Sequence, residues 1–232
     1  MTAIQTSQLC PGSMHVCAVR VTRLNGDGTV AAGPKNAYVS QNVVQLNITP
    51  DILAGDTKQV VSGCDCISVS YRGYDKLMRF NLELDLALLE LPLLEIMTGS
   101  SAILDGAPTP NVKGLWWPQQ NSCDSAVQPK VAVEAWSDMW ADDDILIASD
   151  SDGSELRYIH WLFTASHWHL DQAALQNDFY QPKLMGFTRS NAQWGLGPYS
   201  AQPESAHPQG GMWLSASIPT AQCGYITASS SQ

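Results

Sequence analysis

Polar and apolar residues alternate without a break from Lys76 to Leu88. Met78, Phe80, Leu82, Leu84, Leu86 and Leu88 fall on one parity, and Arg79, Asn81, Glu83, Asp85 and Ala87 on the other. A period of two predicts a strand with one face in the core and the other in water. At about 3.3 Å per residue it runs roughly 40 Å, well past the usual five or six residues. Burying six such side chains contributes on the order of 10 kcal/mol before chain entropy is set against it. A strand this long and half wet suits the wall of a barrel or tube better than a compact enzyme core. Glu83 and Asp85 on the wet side predict an aqueous or ionic space opposite them.

The same patterning extends along the chain. Val16–Leu24 predicts a first strand, with Cys17, Val19 and Val21 on one face, and Asn25-Gly26-Asp27-Gly28 a tight turn after it. Residues 37–48 predict a second long strand, ended by Thr49-Pro50-Asp51 and followed by a turn at Ala54-Gly55-Asp56. Residues 57–72 are strand material in which Ile67, Val69 and Tyr71 share a face, and Gly73-Tyr74-Asp75 turns the chain into the Lys76–Leu88 strand. A short helix is predicted over 92–98, because Pro92 suits a first helical turn and Gly99 a C-terminal stop. Residues 100–114 predict loop. Strands follow over 129–141, 155–170 and 183–194, with a short helix capped by Asp171 and one or two short strands within 211–226. No repeat of 20–50 residues is present, which excludes a solenoid. The fold class expected is mainly β: an antiparallel barrel or sandwich with one or two short α-helices.

Composition narrows the function classes. At 232 residues, 44% hydrophobic and 15% charged, the chain is globular in type. A net charge of −10, with no run of Lys or Arg, argues against an attractive nucleic-acid surface. The first dozen residues lack the basic start and apolar core of a signal peptide, and the apolar run 86–94 is too short to span a bilayer, so folding in a cytoplasm is expected. Cys10, Cys17, Cys64, Cys66, Cys123 and Cys223 are too sparse for a disulfide scaffold, and free thiols are expected.

Candidate chemistry is thin. Asp150–Glu155 resembles a calcium loop, but aligning Gly153 with the turn glycine puts Ala148 and Ile159 where carboxylates are required. His160, His167 and His169 are the best zinc candidates, yet no third ligand has a diagnostic spacing, and ordinary strand histidines are the better reading. Cys64-Asp65-Cys66 lacks the two-residue spacer of a redox or zinc motif. Asp142-Asp143-Asp144 reads as a solvated loop. Eight tryptophans, Trp116, Trp117 and Trp168 among them, suit sugar stacking less well than core and subunit contacts. No catalytic residue, cofactor site or metal site is assigned.

One arrangement has a broader likeness. It comprises Cys17 to Leu24 with the Asn25–Gly28 turn, Gly33-Pro34 and Asn36 to Val39, and Leu46 to Pro50 with Gly55-Asp56. Gly63-Cys64, the Lys76–Leu88 strand and the Leu93–Gly99 segment complete it. In this order they resemble the major tail (tail tube) proteins of long-tailed bacteriophages, those of actinobacterial phages in particular, over about the first hundred residues. The resemblance implies a structural virion protein that is not an enzyme: subunits form hexameric rings that stack into a hollow tube, and DNA passes through without specific binding. It implies partners as well, namely further copies of the chain, a tape measure protein, a tail terminator and a distal tail protein, with assembly in the host cytoplasm and no membrane. Residues 1–14 would then be an N-terminal arm and 15–232 a single β-rich domain, its second half (about 115–232) outside the likeness.

On that reading Arg79, Asn81, Glu83 and Asp85 line an acidic lumen, with Arg79 neutralised by Glu83. Pro50, Asp51, Gly55 and Asp56 belong to a loop over 49–62 that, with the arm, clamps adjacent rings. Rival expectations are another tail component (terminator or distal tail protein), a carbohydrate-binding β-sandwich, and a metal-dependent hydrolase built on the three histidines.

Overall fold

The computed structural model describes residues 12–61, 63, 67–106, 111–117, 129–141, 144–145, 148–149, 153, 155–171, 181–195, 208–220 and 223–229. Sixteen strands and one helix are found among them, in the order β1 (Gly12–Leu24), β2 (Gly33–Ser40), β3 (Val43–Leu53), β4 (Thr57–Val61), β5 (Ile67–Arg72), β6 (Lys76–Leu86), α1 (Leu91–Thr98), β7 (Ser101–Leu104), β8 (Val112–Trp116), β9 (Lys130–Ala141), β10 (Asp144–Ile145), β11 (Ala148–Ser149), β12 (Glu155–Leu156), β13 (Tyr158–Leu170), β14 (Lys183–Thr188), β15 (Gly211–Ser215) and β16 (Cys223–Ala228). The protein is mainly β and antiparallel, with a barrel- or sandwich-like core.

The main sheet runs β16-β2-β1-β9-β13-β14-β6-β3, with β10 joined to β9 and β15 to β13. Inward side chains from both halves of this order share one core. Val19 and Val21 of β1 and Val131, Val133 and Ala135 of β9 meet Leu82, Leu84 and Leu86 of β6 and Leu184 of β14. The sheet therefore curls back on itself, and β1 packs near β3 although the two are not hydrogen-bonded. Helix α1 closes the core with Leu93, Leu94, Ile96 and Met97. Its ends follow from local chemistry: Pro92 sits in the first turn, and Gly99 adopts the left-handed conformation at φ 71° while donating its N–H to Glu95 O at 3.1 Å.

A second apolar layer covers the opposite face of the middle strands. Leu24, Ala132, Leu162 and Ala165 pack there with Trp194. Strands β9 and β13 are consequently buried on both faces over most of their length. Asn191 staples this layer to the turn after β1, donating to Gly28 O at 2.9 Å and to Thr164 O at 3.1 Å. Gly28 has φ +95°, and a Cβ there would lie 2.4 Å from Asn191 Oδ1, so the turn requires glycine on both counts.

Gly186 of β14 lies opposite Trp168 of β13, and a Cβ on it would fall 2.6 Å from the indole and 2.7 Å from His167 O. Gly186→Ala is expected to destabilise the fold by about 1–3 kcal/mol through overpacking. Urea titration of the variant checks this, and an unchanged midpoint would show that the indole moves aside at no cost.

Several sequence expectations need correction. The predicted strand over 37–48 is two strands, broken at Gln41 and Asn42, where Asn42 N–H donates to the Ser40 hydroxyl at 3.1 Å. Thr49-Pro50-Asp51 does not end the second of these; Pro50 sits inside β3, paired with Phe80. Strand β3 is a sheet edge, so a missing N–H costs nothing on its outward side. The strand predicted to reach Leu88 stops at Leu86, and Leu88 is exposed. The stretch expected as loop over 100–114 contains the β7–β8 hairpin. The arm predicted to end at residue 14 is shorter on the described side, since Gly12–Met14 pair with Trp140, Met139 and Asp138 of β9. The helix expected after Asp171 lies outside the described residues, as do most of the Asp150–Glu155 turn and most of the loop after Gly195.

Candidate functional site: a wet sheet face and a bare hairpin

The parity read from the sequence survives in three dimensions over the inner part of β6. Phe80, Leu82, Leu84 and Leu86 turn inward, while Arg79 and Asn81 are exposed and Glu83 and Asp85 half-buried. Met78 departs from the pattern; it lies beyond the core and is exposed. Cross-strand register extends the wet face over four strands, β13, β14, β6 and β3. One row runs His169, Met185, Glu83, Asn47 and the next His167, Phe187, Asn81, Thr49.

Charges on this face are mutually compensated. Lys183 of β14 is bonded to Glu83, and the Glu83 carboxylate raises the Lys183 ammonium above its usual range. Asn47 donates to Glu83 at 3.4 Å, and Gln45 donates to Asp85 at 2.6 Å. Arg79 is neutralised by Asp51, directly opposite on β3, with Nε–Oδ2 at 2.9 Å, and not by Glu83. These pairs are solvated and add little to stability. The face is thus a mixed, near-neutral polar surface rather than a bare acidic one.

The four residues assigned to a clamping loop divide. Pro50 and Asp51 are in β3, whereas Gly55 and Asp56 connect β3 to the β4–β5 hairpin. That hairpin is a separate two-stranded sheet. Its root is tight: Gly73 N–H donates to Asp56 O at 2.9 Å, Gly55 N–H to Asp75 Oδ1 at 2.9 Å, and a Cβ on Gly55 would fall 2.0 Å from Gly73 O. Beyond the root nothing covers it among the described residues. Val60, Val61, Ile67, Val69 and Tyr71 are all exposed, and Tyr74 is 91% exposed. Ile52 and Leu53 at the end of β3, and Leu77 and Met78 at the start of β6, are exposed as well. An isolated two-stranded hairpin is at best marginally stable in water, and a contiguous apolar patch of this kind marks a contact surface.

The histidines do not converge. His160 is buried between Trp136, stacked at 4.1 Å, and Trp213 at 4.4 Å. His167 is buried beside Phe187, and His169 is exposed. Among the described residues no three His, Cys, Asp or Glu side chains gather closely enough to hold a metal. Trp168 is core, its indole N–H donating to Ser166 Oγ at 2.7 Å, whereas Trp116 and Trp117 are exposed. Cys17 and Cys223 are free; burial, helped by a hydrogen bond to Asp138, pushes the Cys17 thiol up to about 12. Cys10, Cys64, Cys66, Cys123, Asp142 and Asp143 lie outside the described residues, and of Asp144 only the backbone is described.

One cluster has no counterpart in the sequence analysis. On the outer face of β1 and β9, Arg20 forks onto Glu134, with Nε–Oε2 and Nη2–Oε1 both at 2.7 Å, and His160 Nε2 lies 3.1 Å from the same carboxylate. Arg20 also lies over the Trp136 ring at 5.0 Å. Burial alone would push the Glu134 carboxyl up, but the Arg20 charge and the hydrogen bonds from His160 and Arg20 outweigh it and hold the group down at about 2. A signal was present: Arg20, Glu134 and His160 each sit mid-strand among apolar neighbours, where an unpaired charge is not tolerated. The geometry is that of a satisfied structural network, closed off by two indoles.

No family model matches the chain, and no curated protein matches it.

Proposed function

We propose that this protein is a structural subunit that assembles with copies of itself, of the kind found in bacteriophage tail tubes: rings, hexameric in that family, stacked into a hollow conduit for DNA in the virion tail. The observation that carries the reading is the bare β4–β5 hairpin. A protein that folds as a monomer gains nothing by holding nine large apolar side chains (Ile52, Leu53, Val60, Val61, Ile67, Val69, Tyr71, Leu77 and Met78) in water, in this hairpin and at the ends of β3 and β6 that lead into it. Burial against a neighbouring copy gives those residues a purpose. The four-stranded wet face supplies a surface suited to water, and the pairing of Arg79 with Asp51 and of Lys183 with Glu83 limits its hold on duplex DNA. On this reading non-stick passage comes from paired charges and a net charge of −10, and not from an acidic wall. Tape measure, terminator and distal tail proteins are the partners the reading implies.

Negative-stain microscopy of the purified protein tests the proposal. Long tubes are expected; single closed rings would favour a terminator or distal tail component, and monodisperse monomers at high concentration would end the self-assembly reading. Glu83→Lys combined with Asp85→Lys is expected to leave tube formation intact, since surface pairs contribute about 1 kcal/mol or less, while slowing DNA ejection from particles that carry it. Unchanged ejection kinetics would remove the wet face from the lumen.

A second reading, a carbohydrate-binding sandwich, is favoured by one observation: Trp116 and Trp117 are adjacent and 66% and 74% exposed. Glycan-array binding by a monomer, lost in Trp117→Ala, would support it over assembly.

A further inference from the structure

We propose that the cleft between the start of β6 and the turn after β14 is a binding site for one oxyanion, a phosphate or carboxylate group, gripped by Arg79 and Arg189. The cleft measures about 350 Å³ and is lined by Met78, Arg79, Phe187, Thr188, Arg189 and Ser190. Both guanidiniums lie over the same ring, Arg79 at 5.2 Å and Arg189 at 5.5 Å from the centre of Phe187. A cation–π contact of this kind uses none of a guanidinium's N–H groups, so those that Asp51 does not take from Arg79 can still donate.

Two like charges on one small ring are unfavourable without an anion nearby, and the described residues supply one, Asp51. Asp51 takes the Arg79 Nε–H, while Arg189 has no carboxylate partner among the described residues. The local balance is therefore one positive charge in excess, within a chain whose net charge is −10. Burial, then the charges of Arg189 and Lys130, hold the His167 ring, 5.5 Å from that of Phe187, below the usual histidine range.

The site is also pre-positioned. Arg189 N–H donates to Ala165 O at 2.9 Å, and two residues on, the buried Asn191 is fixed by its bonds to Gly28 and Thr164. Planar N–H forks match the oxygens of a phosphate or carboxylate, and the Ser190 hydroxyl at the rim can add a donor. An open, shallow cleft with one excess charge fits a single anionic group, not a bulky ligand. The site stands whether or not copies of the chain enclose a channel; if they do, it is a point of the wet face where passing phosphates meet a cation without a carboxylate partner among the described residues.

Transverse relaxation of the phosphorus nucleus of inorganic phosphate, titrated with the full-length chain at constant ionic strength, tests the site in monomer and assembly alike. Saturable enhancement is expected, with affinity at least about tenfold weaker in Arg189→Gln. Arg189→Lys, which keeps the charge and loses the fork, is expected to fall between. Both positions are solvent-exposed, and an unchanged thermal unfolding midpoint will show that the variants fold. Displacement by acetate at concentrations similar to phosphate would assign a carboxylate, such as an acidic side chain; failure of acetate would assign a phosphate group. Equal displacement by chloride, or unchanged affinity in Arg189→Gln, overturns the proposal.

Discussion

Glu134→Ala is expected to lower stability by about 3–5 kcal/mol at neutral pH, a large share of what a domain of this size possesses. The variant strips a buried guanidinium of the carboxylate it forks onto and leaves His160 enclosed by Trp136 and Trp213 without its acceptor. Urea unfolding gives the number. A cost below 1 kcal/mol would mean that water reaches Arg20 and that the cluster is not the closed network the geometry describes. Repacking with Arg20→Met, Glu134→Leu and His160→Phe together is expected to recover most of the loss, because the desolvation cost of the charges disappears with them.

The same group sets an acid limb. The folded Glu134 carboxyl is held at about 2, against 4.5 for an ordinary one. Its contribution is therefore complete above about pH 4.5 and is lost as pH falls from there toward 2. His167 acts in a higher window. Its folded value lies below 6.5, so the unfolded chain takes up the proton first, and stability declines as pH drops below about 6.5. Wild-type stability measured against pH should show both declines, and in the Glu134 variant the lower one should shrink to what the depressed Asp27 and Asp75 carboxyls leave.

Val60→Lys with Val69→Glu is expected to abolish self-assembly while leaving the fold intact. The two residues are direct cross-strand partners in the hairpin, so the new charges attract each other and the hairpin itself is preserved. Both valines are exposed, and the thermal midpoint should not move. Removing two buried aliphatic contacts per interface costs on the order of 3–6 kcal/mol, which raises the concentration needed for assembly at least about a hundredfold. Sedimentation across a concentration series reads this out. Assembly at the wild-type concentration would show that the hairpin faces solvent in the assembled state, and the self-assembly reading would lose its main support.

Where burial is one-sided, local pattern was enough. In β6 the alternation of Phe80, Leu82, Leu84 and Leu86 with polar neighbours needs only the pleat to become a face. Helix α1 and the Asn25–Gly28 turn were legible because Pro92, Gly99 and Gly28 satisfy steric demands that act within a few residues. Strands β9 and β13 were found, but their two-sided burial was not. The layer that covers their outer face comes from Trp194 and Trp213, far along the chain. For the same reason the Arg20–Glu134–His160 network stayed hidden, since its members come from three strands. The apolar residues of the hairpin looked like ordinary strand residues, and only the surrounding structure reveals that none of the described residues covers them.

The sequence by itself determined most of the strand segments, which side of β6 meets water, and the turns at Asn25–Gly28 and Gly55–Asp56, because these depend on backbone sterics and on neighbours two to four residues apart. The tertiary structure alone decided which charges pair, since Arg79 meets Asp51 and Glu83 meets Lys183 through strand order and register. It alone decided, too, which apolar side chains are left exposed, because exposure is a property of everything that packs nearby.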